Sequence, residues 1–520
     1  MYLINCNDNS CTTMEIGTIS QSFKKNAEVY SWQWLLVAAA LTSLLVALAI
    51  AKVNWLFFIL PILLAIGIPL LVNLMVSKLF GVYLMVSIAF FMNTFLKLIP
   101  NLPIGLLMDF CILVMILTLL YDCYWKNSWK EAFGSPITWV IVVWSAWHLI
   151  ELANPIAASR LAWFYVMRPA LGYIMIFFVT YRNLHNLAEI KKLFFFIIIL
   201  TCISAAWGVA QFILGYFPFE MNYIIQHDAV HLVFIQGRWR SFGTMGSPAH
   251  YGVIMAYMTV ACWLLLGTKY AFWQKFIILI TSLLAVTALV FSGARSGFAV
   301  LPISLIVVVG LSRNIKFYMF SAVAGVGLIL VLITPSDNYH IQRIQSTFKG
   351  SEDESFNIRE ENRAKITPWI LAHPMGGGLG STGVWGQRFS PGTFLANFPP
   401  DSGYVRVAVE MGWIGFLLYL LLWLVILWHS IFGQLQLKER CKHIAEEYQE
   451  RRLMSIAIIA SIVPITVVET AQDIIGKLPS NLLFWIWVAM LIKLVKPNNK
   501  VNMSLKKMKT DKTIRNTTLQ

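Results

Sequence analysis

Apolar blocks of about 18 to 23 residues recur along this 520-residue chain, each long enough to cross a hydrocarbon core as a helix. They fall at roughly 33–50, 54–74, 79–98, 103–121, 136–152, 161–180, 193–214, 250–267, 274–292, 296–312, 316–334, 402–428, 453–470 and 481–496. The fold expected is an all-α polytopic membrane protein with about fourteen transmembrane helices and one large loop outside. Composition agrees: 58% of residues are hydrophobic and 12% charged, about half the charge of a soluble chain.

Basic residues set the orientation. With Lys24 and Lys25 on the inner side, alternate connections carry Lys78, then Lys126 and Lys130, then Arg182, Lys191 and Lys192. Lys269 and Lys275, Arg313 and Lys316, and the group from Lys438 to Arg452 follow. Short inner loops accumulate such charges, so the alternation supports the span count and puts both termini inside. The expected organisation is an inner N-terminal segment at 1–30, spans 1–11 over 31–334, a loop at 335–401, spans 12–14 over 402–496 and a basic inner tail at 497–520. The net charge of +15 then needs no nucleic-acid partner. Cys6 and Cys11 have no metal-ligand spacing, and the seven cysteines suggest neither a disulfide framework nor a metal site. The polar N-terminus is unlike a cleavable signal peptide. No internal repeat supports an inverted-repeat transporter.

The segment 335–401 is far longer than a connection requires, and loops of that length are functional or disordered. Trp369, Trp385, Phe389, Phe394 and Phe398 favour a loop folded against the membrane domain. A helix over about 355–372 would carry Arg359 and Arg363 one turn apart. Pro368 marks a break or new start, and Pro374 an end. Gly376 to Gly380 lack the lysine, hydroxyl residue and preceding strand of a nucleotide loop, and read as a tight packed turn.

Positive charge on the outer side is what the inside rule leaves unexplained. Arg240, Arg295, Arg359, Arg363 and Arg388 lie there, and Arg168 is about two turns inside a span. Arginine matches phosphate oxygens with a planar fork, so Arg240, Arg295, Arg359, Arg363 and Arg168 are candidate anion ligands. Arg168 could equally be an ion-paired or snorkelling residue, and Arg295 a headgroup anchor. A helix starting near Ser247–Pro248 would add N–H donors beside Arg240. His373 and Asp401 are the candidate acid/base groups. A histidine beside proline is often structural, and Asp401 could be the N-cap of the following span. Glu410 reads as a structural hydrogen-bonding group.

The motifs R-S-F-G-T-M-G-S-P, S-G-A-R-S-G, H-P-M-G-G-G-L-G and D-S-G-Y-V-R-V-A-V-E-M-G-W-I-G occur in this order and topology. Together they resemble the O-antigen ligase and O-antigen polymerase superfamily of membrane glycosyltransferases, over roughly 235–420. The resemblance implies a bacterial inner-membrane enzyme and a periplasmic loop. It implies an undecaprenyl-diphosphate-linked oligosaccharide donor and a glycan or lipid acceptor, with membrane lipids around it. It also implies metal-independent, inverting transfer without a cofactor. Arg240 and Arg295 match the family arginines by position, and Arg359 or Arg363 the one opening the loop helix. Many ligases show His-Asn before the final motif. This chain has Asp401–Ser402, which favours a repeat-unit polymerase over a ligase acting on lipid A core. A lipid-linked oligosaccharide flippase would carry its charges within the bundle on both sides of the midplane. An assembly partner of an export machine would need no paired arginines facing one loop.

Overall fold

The computed structural model describes residues 4–7, 10–13, 67–100, 102–125, 133–312, 315–336, 338–348, 354–441 and 445–496. The chain divides into two compact units, Met1–Lys78 and Leu79–Gln520. In the first, strands β1 (Ile4–Asn7) and β2 (Ser10–Thr13) pair antiparallel with Cys6 opposite Cys11, and α1 spans Gly67–Val76. The expected span at 33–50, the first part of 54–74 and the basic tail lie outside the described residues.

The second unit is helical, with one small hairpin. Its helices are α2 (Leu79–Leu98), α3 (Ile104–Trp125), α4 (Pro136–Ile150), α5 (Arg160–Asn183), α6 (Leu187–Leu214), α7 (Pro218–Gln226) and α8 (Val230–Val233). The hairpin β3 (Phe234–Ile235) and β4 (Arg238–Trp239) leads to α9 (Pro248–Leu266), α10 (Phe272–Ser292), α11 (Arg295–Ser312) and α12 (Ile315–Ile333). Loop helices α13 (Tyr339–Ser346), α14 (Glu354–Ala372) and α15 (Gly383–Phe389) precede α16 (Gly403–Arg440), α17 (Ala445–Val468) and α18 (Ser480–Val495). Each expected block from 79–98 onward lies on one of these helices. Among the described residues, 10 helices are long and apolar enough to cross a membrane. This is an all-α polytopic membrane fold.

Local chemistry sets the ends. Ser247 caps α9, its hydroxyl accepting the His250 N–H, and Pro248 occupies the first turn where no donor is needed. Asn186 caps α6 by accepting the Glu189 N–H, while Glu189 accepts the His185 N–H. The bundle is built around α9 and α17, whose apolar windows are 83% and 78% buried against 33% for α3.

One expectation is corrected. The span opening at 402 is not continuous, because Gly412 adopts φ 67° and breaks α16 into a short half-helix and a long one. The break leaves carbonyls without helical partners. The Gly377 and Gly378 amides bond the Val409 and Glu410 carbonyls at 2.9 Å each. A side chain at Gly412 would overlap the Pro374 carbonyl, so this close approach requires glycine as well as its positive φ. The Gly376–Gly380 turn is the plug of a broken helix. Irregular backbone at this depth is tolerated where it is buried in protein or lines a cavity.

The loop is folded against this region. Ile366, Leu395 and Phe398 form a buried cluster with Val409 of the half-helix, flanked by Trp369, Ile370 and Val405.

Candidate functional site

Behind the half-helix lies a cavity of about 740 Å³. Its wall takes Tyr173 from α5, Arg240 from the loop before α9, Arg359 from α14 and Trp385 from α15. Asp401, Arg406 and Glu410 border it at α16, and Gln472, Asp473 and Lys477 come from the α17–α18 connection.

Arg240 is placed by a buried loop. Gln211 of α6 accepts the N–H groups of Phe242 and Gly243 at 3.1 and 2.8 Å and donates to the Gly243 carbonyl. Thr94 and Lys97 of α2 donate to the carbonyls of Thr244 and Met245. With its backbone so held, Arg240 is 7% exposed. Its guanidinium donates to the carbonyls of Ser292 (2.7 Å), Gly293 (3.4 Å) and Leu232 (3.4 Å). Gly293 ends α10 at φ 54°, which turns its carbonyl outward from the helix to receive a second arginine. That arginine is Arg343 of α13, whose Nε donates to the same oxygen at 3.1 Å.

Two guanidiniums thus share one carbonyl, and Arg295, which opens α11, lies within electrostatic reach of Arg240. Arg343 and Arg359 are in turn within reach of Arg295. Burial and the neighbouring Arg343 push the Arg240 pKa down to about 10. Burial lowers that of Arg343 as well. Among the described residues no carboxylate pairs with Arg240 or Arg343. Desolvated, uncompensated cations of this kind are suited to receive an anion.

A second arginine at the same cavity is different. Arg406 on the half-helix meets Asp473 at 3.0 and 3.2 Å, with Glu410 at 3.9 Å. Asp473 also accepts the Gly476 N–H, and Glu410 accepts the Thr382 hydroxyl at 2.6 Å. Glu410 is therefore a hydrogen-bonding group, as expected. Behind them Glu469 is buried, its Oε1 accepting the N–H groups of Ile474 and Ile475. Burial, then Asp473, pushes its carboxyl up from the ordinary carboxylate range.

The expected site residues divide. Arg240 and Arg359 line the cavity, Arg295 lies within electrostatic reach of both without lining it, and Asp401 sits on the rim with Arg359. Asp401 is not the cap of α16. The helix starts one residue later than that reading needs, and Ser402 caps it by accepting the Val405 N–H. The Asp401 carbonyl accepts the Asp473 N–H, and its carboxylate has no ion pair among the described residues. His373 does not line the cavity. It stacks on Trp369 at 4.2 Å, with Nδ1 2.7 Å from the Trp369 carbonyl, at the end of α14. Arg168 pairs with Asp109 of α3 at 2.9 Å. Arg363 pairs with Glu360 at 2.6 Å and donates to the Thr470 carbonyl. Neither lines the cavity, although Arg363 borders an adjacent apolar groove.

Sequence reasoning missed Arg343, Arg406 and Asp473. Arg343 had the signal that marked the others, a positive charge in a segment expected on the outer side, where the inside rule predicts none. Asp473 meets Arg406 across 67 residues, and no local pattern announces such a pair. Among the described residues no group of three or more histidine, cysteine or carboxylate side chains is placed to hold a metal.

No curated protein matches the chain. Residues 277–420 match the family model described as O-antigen ligase, a segment running from α10 through the Gly293 turn, Arg295, Arg343 and Arg359 to the half-helix. Over that segment the chain is similar to the O-antigen ligase and polymerase superfamily of integral membrane glycosyltransferases.

Proposed function

We propose that the protein polymerises surface-polysaccharide repeat units carried on undecaprenyl diphosphate, at the periplasmic face of a bacterial inner membrane, with both termini in the cytoplasm. The observation that carries this reading is the juxtaposition of Arg240 and Arg343 on the Gly293 carbonyl, with Arg240 lining a cavity whose rim carries Asp401, a carboxylate with no ion pair among the described residues.

In this reading the donor's diphosphate lies against Arg240, Arg343, Arg295 and Arg359. An acceptor hydroxyl oxygen forms a bond to the donor's anomeric carbon from the face opposite the leaving group, inverting that centre. The bond from that carbon to the diphosphate oxygen breaks, and the negative charge appearing on the diphosphate is stabilised by guanidiniums already in position. Asp401 orients the acceptor hydroxyl and takes its proton late, since an oxocarbenium-like transition state asks little basicity of its partner. Arg406, held by Asp473, fixes the half-helix and the rim that carries Asp401. Residues Arg363, Arg168 and His373 take structural roles.

Deleting the gene and analysing the lipid-linked glycans tests the reading. A polymerase leaves single repeat units on the lipid carrier and no polymer. A ligase leaves long chains on the carrier that are never transferred onward. Unchanged lipid-linked and surface glycans would refute both.

A further inference from the structure

Trp385 lines the catalytic cavity from α15, yet no step above uses it. It is 36% exposed, a large amount for an indole on a cavity wall. Its position is fixed from behind. Phe389, one turn along, stacks almost parallel to it at 6.0 Å and 10°. Tyr165 of α5 tilts against both, at 5.7 Å from Trp385 and 4.8 Å from Phe389. The Arg388 guanidinium lies over this group, 5.4 Å from the Tyr165 ring and 5.2 Å from the Phe389 ring. Such contacts hold an aromatic cluster together. A tryptophan that merely marks the membrane interface faces headgroups. This one borders a cavity of mixed lining, in which arginines and carboxylates stand among apolar side chains.

Taking the glycan reading above as its basis, we propose that Trp385, backed by Phe389 and Tyr165, is a sugar-stacking platform that holds a pyranose ring of the glycan beside the reacting centre. The C–H-bearing face of a pyranose is apolar, and its hydroxyl edge is polar. A flat ring with a negative π face therefore receives the first, while the surrounding polar side chains receive the second. Because packing already restricts the indole, little side-chain entropy is lost when the sugar docks. The platform has no charge and does not read the diphosphate. It acts on the sugar alone.

The test uses full-length protein purified in detergent. The probe is the oligosaccharide freed by mild acid from the lipid-linked fraction of the same cells, which carries no diphosphate. Binding is measured by calorimetry for wild type, Trp385→Phe, Trp385→Leu and Arg343→Ala, with unfolding midpoints recorded for each. Trp385→Leu retains an apolar side chain for packing but has no π face. It should weaken binding by about tenfold, as loss of a well-formed aromatic contact would. Trp385→Phe should bind nearly as wild type, and Arg343→Ala should bind the diphosphate-free glycan normally. Wild-type affinity in Trp385→Leu would overturn the platform and leave the glycan reading standing. Absence of binding to wild type would also overturn the platform, and the deletion experiment then decides whether the glycan reading falls with it. Should Trp385→Leu unfold early, the comparison of Trp385→Phe with Phe389→Leu decides. The platform requires the first to bind and the second, which leaves the indole unsupported, to bind more weakly.

Discussion

Two arginine sites reach one cavity, one through Arg406 and the other through Arg240, and they are solved in opposite ways. Arg406 is compensated: two contacts to Asp473 and a carboxylate neighbour in Glu410 neutralise it within the fold. Arg240 and Arg343 are not. Their donors meet carbonyl dipoles, and their nearest charged neighbours are other arginines. Burying a cation beside like charges costs stability, and a carboxylate partner offsets part of that cost. The difference separates a fastener from a receptor. The first site is balanced by carboxylates within the fold, whereas the second presents guanidiniums suited to an anion.

The largest expected effect breaks the receptor. Arg343→Ala should lower polymer synthesis by about a hundredfold or more, the scale at which removing one donor to a developing anion acts. Arg343→Lys should recover little, because an ammonium lacks the fork that spans two oxygens. Quantifying polymer against protein level checks both. Asp401→Asn should also abolish polymer while lipid-linked units accumulate, with an unchanged unfolding midpoint, since Ser402 and not Asp401 caps the helix. Near-normal polymer would remove Asp401 from the mechanism.

The fastener should respond in stability. Arg406→Met leaves the partly buried Asp473 without its partner and should cost about 3 kcal/mol, the low end for such pairs because Arg406 is 26% exposed. Arg343→Met should leave the midpoint level or higher, since it removes an uncompensated cation. Equal losses in the two variants would erase the distinction between the sites. A smaller change, about 1 kcal/mol, is expected from Ser402→Ala through the lost cap.

The smallest effect is a slope. The Glu469 carboxyl is held above its ordinary 4.5 in the folded chain, because burial favours the neutral acid. Between the unfolded value and this raised one the folded protein holds a proton that the unfolded chain has released. Stability should therefore fall as pH rises through that window and level off above it. Glu469→Gln should flatten the profile, as followed by unfolding midpoint against pH.

These contrasts also explain what was legible beforehand. Helix positions from residue 79 onward were, because a bilayer imposes a length on every apolar block. Arg240 and Arg295 stood out because a cation on that side has no bulk explanation. Arg343 carried the same mark inside a short amphipathic helix and was passed over for the more conspicuous charges of α14. The break at Gly412 was hidden because the apolar run continues through it. What breaks the helix is the Gly376–Gly380 turn arriving from another part of the chain. The cap moved by a single residue, from Asp401 to Ser402, and that shift freed the carboxylate for chemistry. Arg406 and Asp473 become partners only when α16 and the α17–α18 connection are brought together, and that is tertiary information.

The central claim is that Arg240 and Arg343 form a receptor for diphosphate. Native mass spectrometry of the purified protein with undecaprenyl diphosphate, which carries no sugar, tests it without depending on the identity of the glycan. The account predicts a one-to-one complex for wild type and for Trp385→Leu, and loss of that complex in the Arg240→Ala, Arg343→Ala double variant with its unfolding midpoint retained. Equal occupancy in wild type and the double variant would contradict it.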